Sequence, residues 1–508
     1  MPTPGFPFRG DLLIILFLRY IQVIFFIVEL NICTRKILSI HKNLIFRLKK
    51  LNWTQINNIN MKKVFFIGIG WVGVSALARY YRKLWYEVSW SDGGKPSFVT
   101  DTLEAEWVKV FFGHNEANLG DNTNFVIYSE AIITNPNLNK EENLKANPEL
   151  AKAIKLNIKS LSYPEALAEV VNKKKCIAVA WTHGKSTTTS ILWVILAGGT
   201  TDASVLVGAP VKQFNNSNLY FGAGDYFAIE ACEYKRSFLK YLPFITVITN
   251  IEIDHLDYYK DLEDYMSAFR SLQSQTSGYI ILNWNDQNCL ALKDIGKLQI
   301  FVYDKYFENL DWEKIYFPEF NLQIPGDHIE FDAKLAYTVA KLLGLDDAYI
   351  VSKINSYTGI WRRSEIVWTT KSGNLVMSDY GHHPTEIKLT LESIKQKYHD
   401  KQIFVIFQPH QYSRTIELLD WFKTSFDSAD SLIIPDIYFS RDKKEDVEFM
   451  TTDRFVSELK QNYPNTINGN GLENTLELIK DYDEKNPNSS VIVLLWAGSV
   501  DDLRRELV

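Results

Sequence analysis

AVAWTHGKSTTTS, residues 178–190, decides the fold class of this chain. The apolar run from Cys176 to Ala180 reads as a buried strand, and the hydroxyl residues after Gly184 read as the start of a helix. Between them Thr182, His183, Gly184, Lys185, Ser186 and Thr187 form a phosphate loop. Backbone amides at a helix N-terminus cradle phosphate oxygens, Lys185 neutralises the terminal phosphates, and the Ser186 hydroxyl suits Mg2+. The general pattern wants glycine ahead of the loop, and Trp181 stands there instead. The chemistry indicated is that of a nucleoside triphosphate.

The same strand–loop–helix pattern recurs upstream. Val64 to Gly73 reads as a strand followed by Gly68, Gly70 and Gly73 in G-x-G-x-x-G spacing, opening an apolar helix. A second strand, YEVSWSD, ends at Asp92, about twenty residues on, where a ribose-reading carboxylate sits in such units. VKVFFGH and FVIYSEAI are two more strands ending in polar residues, which brings His114 and Ser129 to the same edge. Downstream, DYFAIEACEY, ITVITNIEIDHLDYY and SGYIILNWNDQN each end abruptly in acids, His or Asn. Ligands of doubly wound sheets lie at such carboxyl ends. LVMSDYGHHPTEI, IFVIFQPHQYSRT, LIIPDIY and VIVLLWAGS, with helical EIKLTLESIKQKY, complete a third α/β unit.

The chain has 508 residues, 23% of them charged and 46% apolar, which suits a soluble α/β protein of several cores. A net charge of −6 gives no electrostatic footprint for nucleic acid. Cys33, Cys176, Cys232 and Cys289 form no C-x-x-C pair, so a disulfide framework or zinc site is not expected and a reducing cytoplasm is. Residues 12–32 are long and apolar enough to span a bilayer and are followed by Arg35, Lys36, Lys42 and Arg47. Arg19 within that run costs about 2.5–3.5 kcal/mol near a helix centre. MKKVFFIGIG from Met61 reads as a domain start, so residues 1–60 are expected to be an extension foreign to the enzyme, and membrane attachment is expected only if they are real. The expected organisation is three α/β domains: a Rossmann-like unit at 61–172, a central P-loop ATPase-type unit with a parallel sheet at 173–356, and a Rossmann-like unit at 357–508.

In motif order and spacing, residues 61–508 resemble the Mur ligases of peptidoglycan synthesis, ATP-dependent amide-bond formers. The resemblance implies that the first domain holds a UDP-sugar, the second MgATP, and that the third closes to supply an amino acid. It implies UDP-N-acetylmuramate and L-alanine as substrates, ADP and phosphate as products, and a monomer or homodimer. Gly68, Gly70, Gly73, Asp92, His114 and Ser129 then lie near the UDP-sugar. Lys185 and Ser186 keep their roles, and Glu230 and His255 match positions that ligate a second magnesium ion, so that Ser186, Glu230 and His255 together hold two. His328, in PGDHIEFDAKLAY, matches an adenine contact, although Ile329 and Asp332 replace two asparagines of the pattern. In TGIWRRSE, Arg363 matches the position beside the reacting phosphate. DYGHHPTE supplies Asp379, Tyr380, His382 and His383, and PHQYSRT supplies His410 and Arg414. Arg414 suits the carboxylate of L-alanine by bidentate pairing. Gln411 stands where many members carry a second arginine.

The implied chemistry is activation of a carboxylate as an acyl phosphate followed by attack of an amine. That needs charge neutralisation more than a protein nucleophile. Lys185, Glu230, His255 and Arg363 meet that need, with His382 or His383 as acceptor of the amine proton. Two other functions fit the same motifs: a ligase adding a recycled murein tripeptide, and an inactive UDP-sugar-binding homologue.

Tryptophan stands repeatedly where glycine is required. Trp71 lies in the first glycine loop, Trp181 heads the phosphate loop, and Trp496 sits in the WAGS turn. Trp85, Trp90, Trp107 and Trp368 fall in similar contexts, whereas Trp361 and Trp421 read as genuine. An indole offers neither positive φ nor close approach to phosphate. Drift would bring in many residue types, so one recurring type points to UGA codons read as glycine in the source cell.

Overall fold

The alternation of short β-branched runs with amphipathic helices folds into three sheets. The computed structural model describes residues 61–508 apart from 70–71, 95–97, 107, 133–138, 181, 257, 294–297, 310–313, 325, 441, 497 and 508. The expectations for residues 1–60, Gly70, Trp71, Trp107 and Trp181 therefore lie outside the described residues. No described helix is long and apolar enough to cross a membrane.

The first sheet has five parallel strands in the spatial order Lys109–Phe112, Glu87–Asp92, Lys63–Ile67, Phe125–Tyr128 and Lys159–Ser162. Connections run outward both ways from Lys63–Ile67, so the topological switch point lies between it and Phe125–Tyr128. Helix Val72–Lys83 packs on it through Val74, Ala76, Leu77 and Ala78, all buried. Helix Tyr163–Val171 begins with a capping box, in which Glu165 returns to the Ser162 backbone at 2.9 Å.

The second sheet has nine strands. Six of them are parallel: Leu298–Val302, Tyr279–Asn283, Pro243–Ile248, Lys175–Ala180, Tyr226–Glu230 and Ser204–Val211. Antiparallel strands close both edges: Tyr306–Glu308 with Ile315–Tyr316 on one, Ser217–Tyr220 on the other. Helix Lys185–Leu196 is buried from Ser186 to Leu196 and packs with helix Asp327–Leu342 in one apolar core. Only its second half, Ile191–Leu196, is apolar on every side, while buried hydroxyls from Ser186 to Ser190 open it at the phosphate loop. Tyr357 and Ile360 belong to this core, with the Tyr357 hydroxyl 2.7 Å from Ser190.

The third sheet runs Glu365–Thr369, Leu375–Asp379, Ser490–Trp496, Gln402–Gln408, Ser431–Ile434 and Thr466–Asn468. Only the Glu365–Thr369 edge is antiparallel. The edge strands and the Ser204–Tyr220 hairpin are additions that the sequence reading did not anticipate, because they are short and lack a clean alternation.

Candidate active site

Gly68, Asp92, His114 and Ser129 lie at or just past the carboxyl ends of four adjacent parallel strands. Gly68 has φ +74°, and a Cβ there would stand 3.0 Å from Ile132 and 3.1 Å from Ser129 Cβ, so only glycine fits. A Cβ on Gly73 would meet the Tyr163 hydroxyl at 2.8 Å, which keeps the helix close to the sheet. Asp92 caps the turn by accepting from Gly94 N at 2.8 Å. His114 is held by Glu149, a fully buried acid 3.3 Å away whose hydrogen bond raises the imidazole pKa. Glu149 was missed from the sequence because it lies on a helix with no motif around it.

The phosphate loop follows strand Lys175–Ala180, with Gly184 at φ +84° as the helix N-cap. Lys185 Nζ lies 2.9 Å from Glu233 and 3.4 Å from the Thr182 carbonyl. Thr182 donates its hydroxyl to the Glu252 carbonyl at 2.7 Å, tying the loop to the segment after strand Pro243–Ile248. Glu230 is the last residue of its strand, and burial raises its pKa despite the nearby Lys185 and Arg363. Its neighbours include the Ser186 hydroxyl, which donates to it. His255 lies 3.5 Å from Glu233 and adopts φ +60°, a left-handed conformation that a non-glycine residue holds only under constraint. Thus Glu233, not singled out from sequence as a site residue, links Lys185 to His255. Ser186, Glu230 and His255 offer hydroxyl, carboxylate and imidazole donors to a cation. A strand-end carboxylate that accepts from a hydroxyl offers the hard oxygen donors that suit a dication such as Mg2+.

His183 does not point its chemistry at the nucleotide alone. Its Nε2 lies 2.7 Å from Glu252 and its Nδ1 3.3 Å from Glu386. Burial opposes the charged form, but the two carboxylates win and lift its pKa to about 9. The His383 ring lies tilted with its centroid 4.5 Å away, and its pKa is driven down to about 3 by burial and by that positive charge. His183, Glu252 and His383 offer donor atoms within 4.8 Å of one another, but protonated His183 already supplies the cation there. Thr385 donates to Glu252 at 2.9 Å, so this cluster joins the central sheet's loops to the helix Pro384–Lys397. The contribution of His183 is complete below about pH 6.5 and is lost as pH rises through about 9. Replacing His183 with Gln should therefore flatten the fall in thermal midpoint between pH 7 and pH 9.5, a term of about 3 kcal/mol at most.

Arg363 is partly buried beside Glu386, Asp379 and Tyr380, 3.4 Å from Glu386 Oε1. Glu386 also accepts from the His382 backbone N at 3.2 Å, so one carboxylate orients Arg363, His183 and the His382 turn. Asp379, expected at the amino acid, instead spends both oxygens on the backbone: Ser364 N at 2.6 Å and Gly381 N at 2.7 Å. It pins two loops together. Tyr380 lies 4.6 Å from the Arg362 guanidinium and 5.2 Å from that of Arg363. His382 Nδ1 donates to the Tyr380 carbonyl at 3.1 Å, which leaves Nε2 as an acceptor. Burial and Arg414 push its pKa to about 4, so it is neutral at pH 7. His410 stacks on Tyr438 and lies 3.5 Å from Arg414. Arg414 and Asp254 form a buried pair at 2.9 Å across the cleft between the second and third sheets. His328, expected at adenine, has its pKa lowered to about 4 by burial.

Several of the suspect tryptophans fall within the described residues. Trp85 has φ +65° and is half exposed. Trp90, Trp368 and Trp496 bury indole N–H groups that have no hydrogen-bond partner.

Three sequence profiles of one family match in succession: the Mur ligase family catalytic domain at 63–175, the Mur ligase middle domain at 179–338, and the Mur ligase glutamate ligase domain at 362–496. The UDP-N-acetylmuramate–L-alanine ligase of Clostridium novyi is 35% identical over 460 residues, covering 87% of this chain and 96% of the relative. That of Clostridium kluyveri is 38% identical over 407 residues, covering 76% and 85%. Among solved structures, the UDP-N-acetylmuramate–alanine ligase of Thermotoga maritima superimposes with a TM-score of 0.69 at 23% identity, covering 88% of this chain and 98% of that one. A murein peptide ligase of Psychrobacter arcticus gives 0.64 at 21% identity, with the same coverage. With the glycine loop, the phosphate loop and the DYGHHPTE segment gathered at sheet ends, and with relatives matching over most of its length, this chain belongs to the Mur ligase family.

Proposed function

We propose that this chain ligates L-alanine to UDP-N-acetylmuramate, with ATP converted to ADP and phosphate. The observation that carries the reading is the meeting, in one cleft, of Lys185, Glu230 and Arg363 with the Arg414 site. Residues 61–172, 173–356 and 357–508 are assigned to the UDP-sugar, the nucleotide and the amino acid.

Lys185 and Arg363 both bias the ionisation of Glu230, so they lie where charge on a transferring phosphoryl group must be offset. Lys185 pairs with Glu233 at 2.9 Å, a pairing that a polyphosphate would replace. Mg2+ held by Ser186, Glu230 and His255 would supply further charge neutralisation. The lactyl carboxylate of the sugar takes the γ-phosphoryl group, and the amine of L-alanine then displaces phosphate from the acyl phosphate. Arg414 orients the amino acid through its carboxylate. His382, neutral and with Nε2 unprotonated, receives the proton lost by the amine.

Phosphate release measured with ATP, Mg2+ and UDP-N-acetylmuramate should depend on L-alanine. Its kcat/KM for L-alanine should exceed that for the murein tripeptide by about a hundredfold or more. Preference for the tripeptide would assign the chain to peptide recycling instead.

A further inference from the structure

Arg414 and Asp254 come from different sheets, are each less than a tenth exposed, and pair at 2.9 Å. Resting on the reading that this cleft takes a free amino acid, we infer that Asp254 selects it by receiving its α-ammonium group while Arg414 receives its carboxylate. Charge accounting leads there. A buried guanidinium left without a partner is costly, and so is a buried carboxylate. A zwitterion inserted between the two satisfies both at once, whereas a carboxylate alone would strand Asp254 and an amine alone would strand Arg414.

The surroundings agree. The groups that face Asp254 are Arg414, His255, His382 and His383. His255 donates its backbone N to Asp254 Oδ1 at 2.7 Å. His382 and His383 are held neutral, and Glu417 lines the same cavity beside the Asp254–Arg414 pair. Leu256 and Leu418 line the same small cavity and offer an apolar wall to a short side chain. A peptide carries no carboxylate on the carbon bearing its amine, so it cannot satisfy both partners. An ammonium docked on Asp254 also lies near His382, the proposed proton acceptor.

The test is steady-state kinetics on the full chain, with glycine at 71, 181 and 496 for the reason given next. Asp254→Asn should raise KM for L-alanine about tenfold or more while KM for ATP stays within about twofold. Propionate, which carries only the carboxylate, should inhibit this variant more strongly than the parent, and ethylamine should cease to inhibit. Asp254→Glu should recover part of the lost affinity. A lower or unchanged KM for L-alanine in Asp254→Asn would overturn the inference, showing Asp254 to be a competitor for Arg414 or a bystander. Failure of the parent chain to use L-alanine at all would instead overturn the ligase reading.

A separate set of observations carries a second inference. We infer that the polypeptide made in its own cell has glycine at 71, 85, 90, 107, 181, 368 and 496, from UGA codons read as glycine. After helix Val72–Lys83, Tyr86 N donates to Tyr81 O at 3.1 Å and Trp85 N to Arg82 O at 2.9 Å. That double bond is a Schellman cap, whose left-handed residue is characteristically glycine. Trp85 occupies it with φ +65°. Strand Glu365–Thr369 shifts register between Ile366 and Trp368, and glycine inside a strand marks such bulges. Trp90, wholly buried in mid-strand, and Trp496, at the last position of its strand, leave indole N–H groups unpaired inside the protein. Trp193 shares that last property without lying in a glycine motif, so it is the coincidence with motif and backbone that singles out the others.

Reading the gene's codons and the masses of peptides from the native protein tests this. UGA and glycine masses are expected at these positions, with UGG and tryptophan at 361 and 421. UGG at 71, 181 and 496, or tryptophan masses there in the native protein, would overturn it.

Discussion

A chain with glycine at 71, 181 and 496 should release phosphate from ATP, with UDP-N-acetylmuramate and L-alanine present, about 10²–10³-fold faster than the chain with tryptophan there. The phosphate loop works by bringing backbone N–H groups to the phosphate oxygens. Gly184 meets this requirement, with φ +84° at the N-cap of helix Lys185–Leu196. Position 181 opens the same loop in the sequence, where the phosphate-loop pattern calls for glycine. Position 71 stands in the same relation to the first glycine loop, where Gly68 already fits against Ser129 with no room for a Cβ. The comparison is a phosphate-release assay on the two chains, with thermal midpoints alongside to show that both fold. Equal rates would mean that the loops tolerate tryptophan, and inactivity of both would count against the ligase reading.

Arg363→Ala should lower kcat about 10³-fold or more while leaving KM for ATP nearly unchanged. Arg363 is partly buried, oriented by Glu386 at 3.4 Å, and near Glu230. A guanidinium held in this way costs no reorganisation when charge develops on a transferring group. Arg363→Lys should restore little, because an ammonium cannot reproduce the planar fork. Single-turnover formation of ADP separates the chemical step from product release. A loss smaller than tenfold would remove Arg363 from the reacting centre.

The first sheet, the phosphate loop and the last domain's motifs were legible because each lies at a strand end marked by an abrupt change from apolar to polar residues. Gly68, Ser129, Lys185, Glu230, His255, His382 and Arg414 all belong to such segments, whereas Arg363 precedes its strand and was legible only from TGIWRRSE. Asp379 was legible as a position but not as a role: its carboxylate holds the backbone of Ser364 and Gly381. Glu149 carries no motif of its own, and Glu252 and Asp254 sit in ITVITNIEIDHLDYY, where only His255 was singled out; the importance of all three comes from what other parts of the chain bring against them.

By itself the sequence determined the order of strands and loops, the phosphate-binding chemistry and the family, because local periodicity and loop composition are properties of contiguous residues. Only the tertiary structure decided the charge pairings: Arg414 with Asp254, His183 between Glu252 and Glu386, Lys185 with Glu233. These partners lie between 48 and 203 residues apart in the chain. Burial is what gives such pairs their energetic weight, and burial depends on how the sheets pack, which no single segment of sequence specifies.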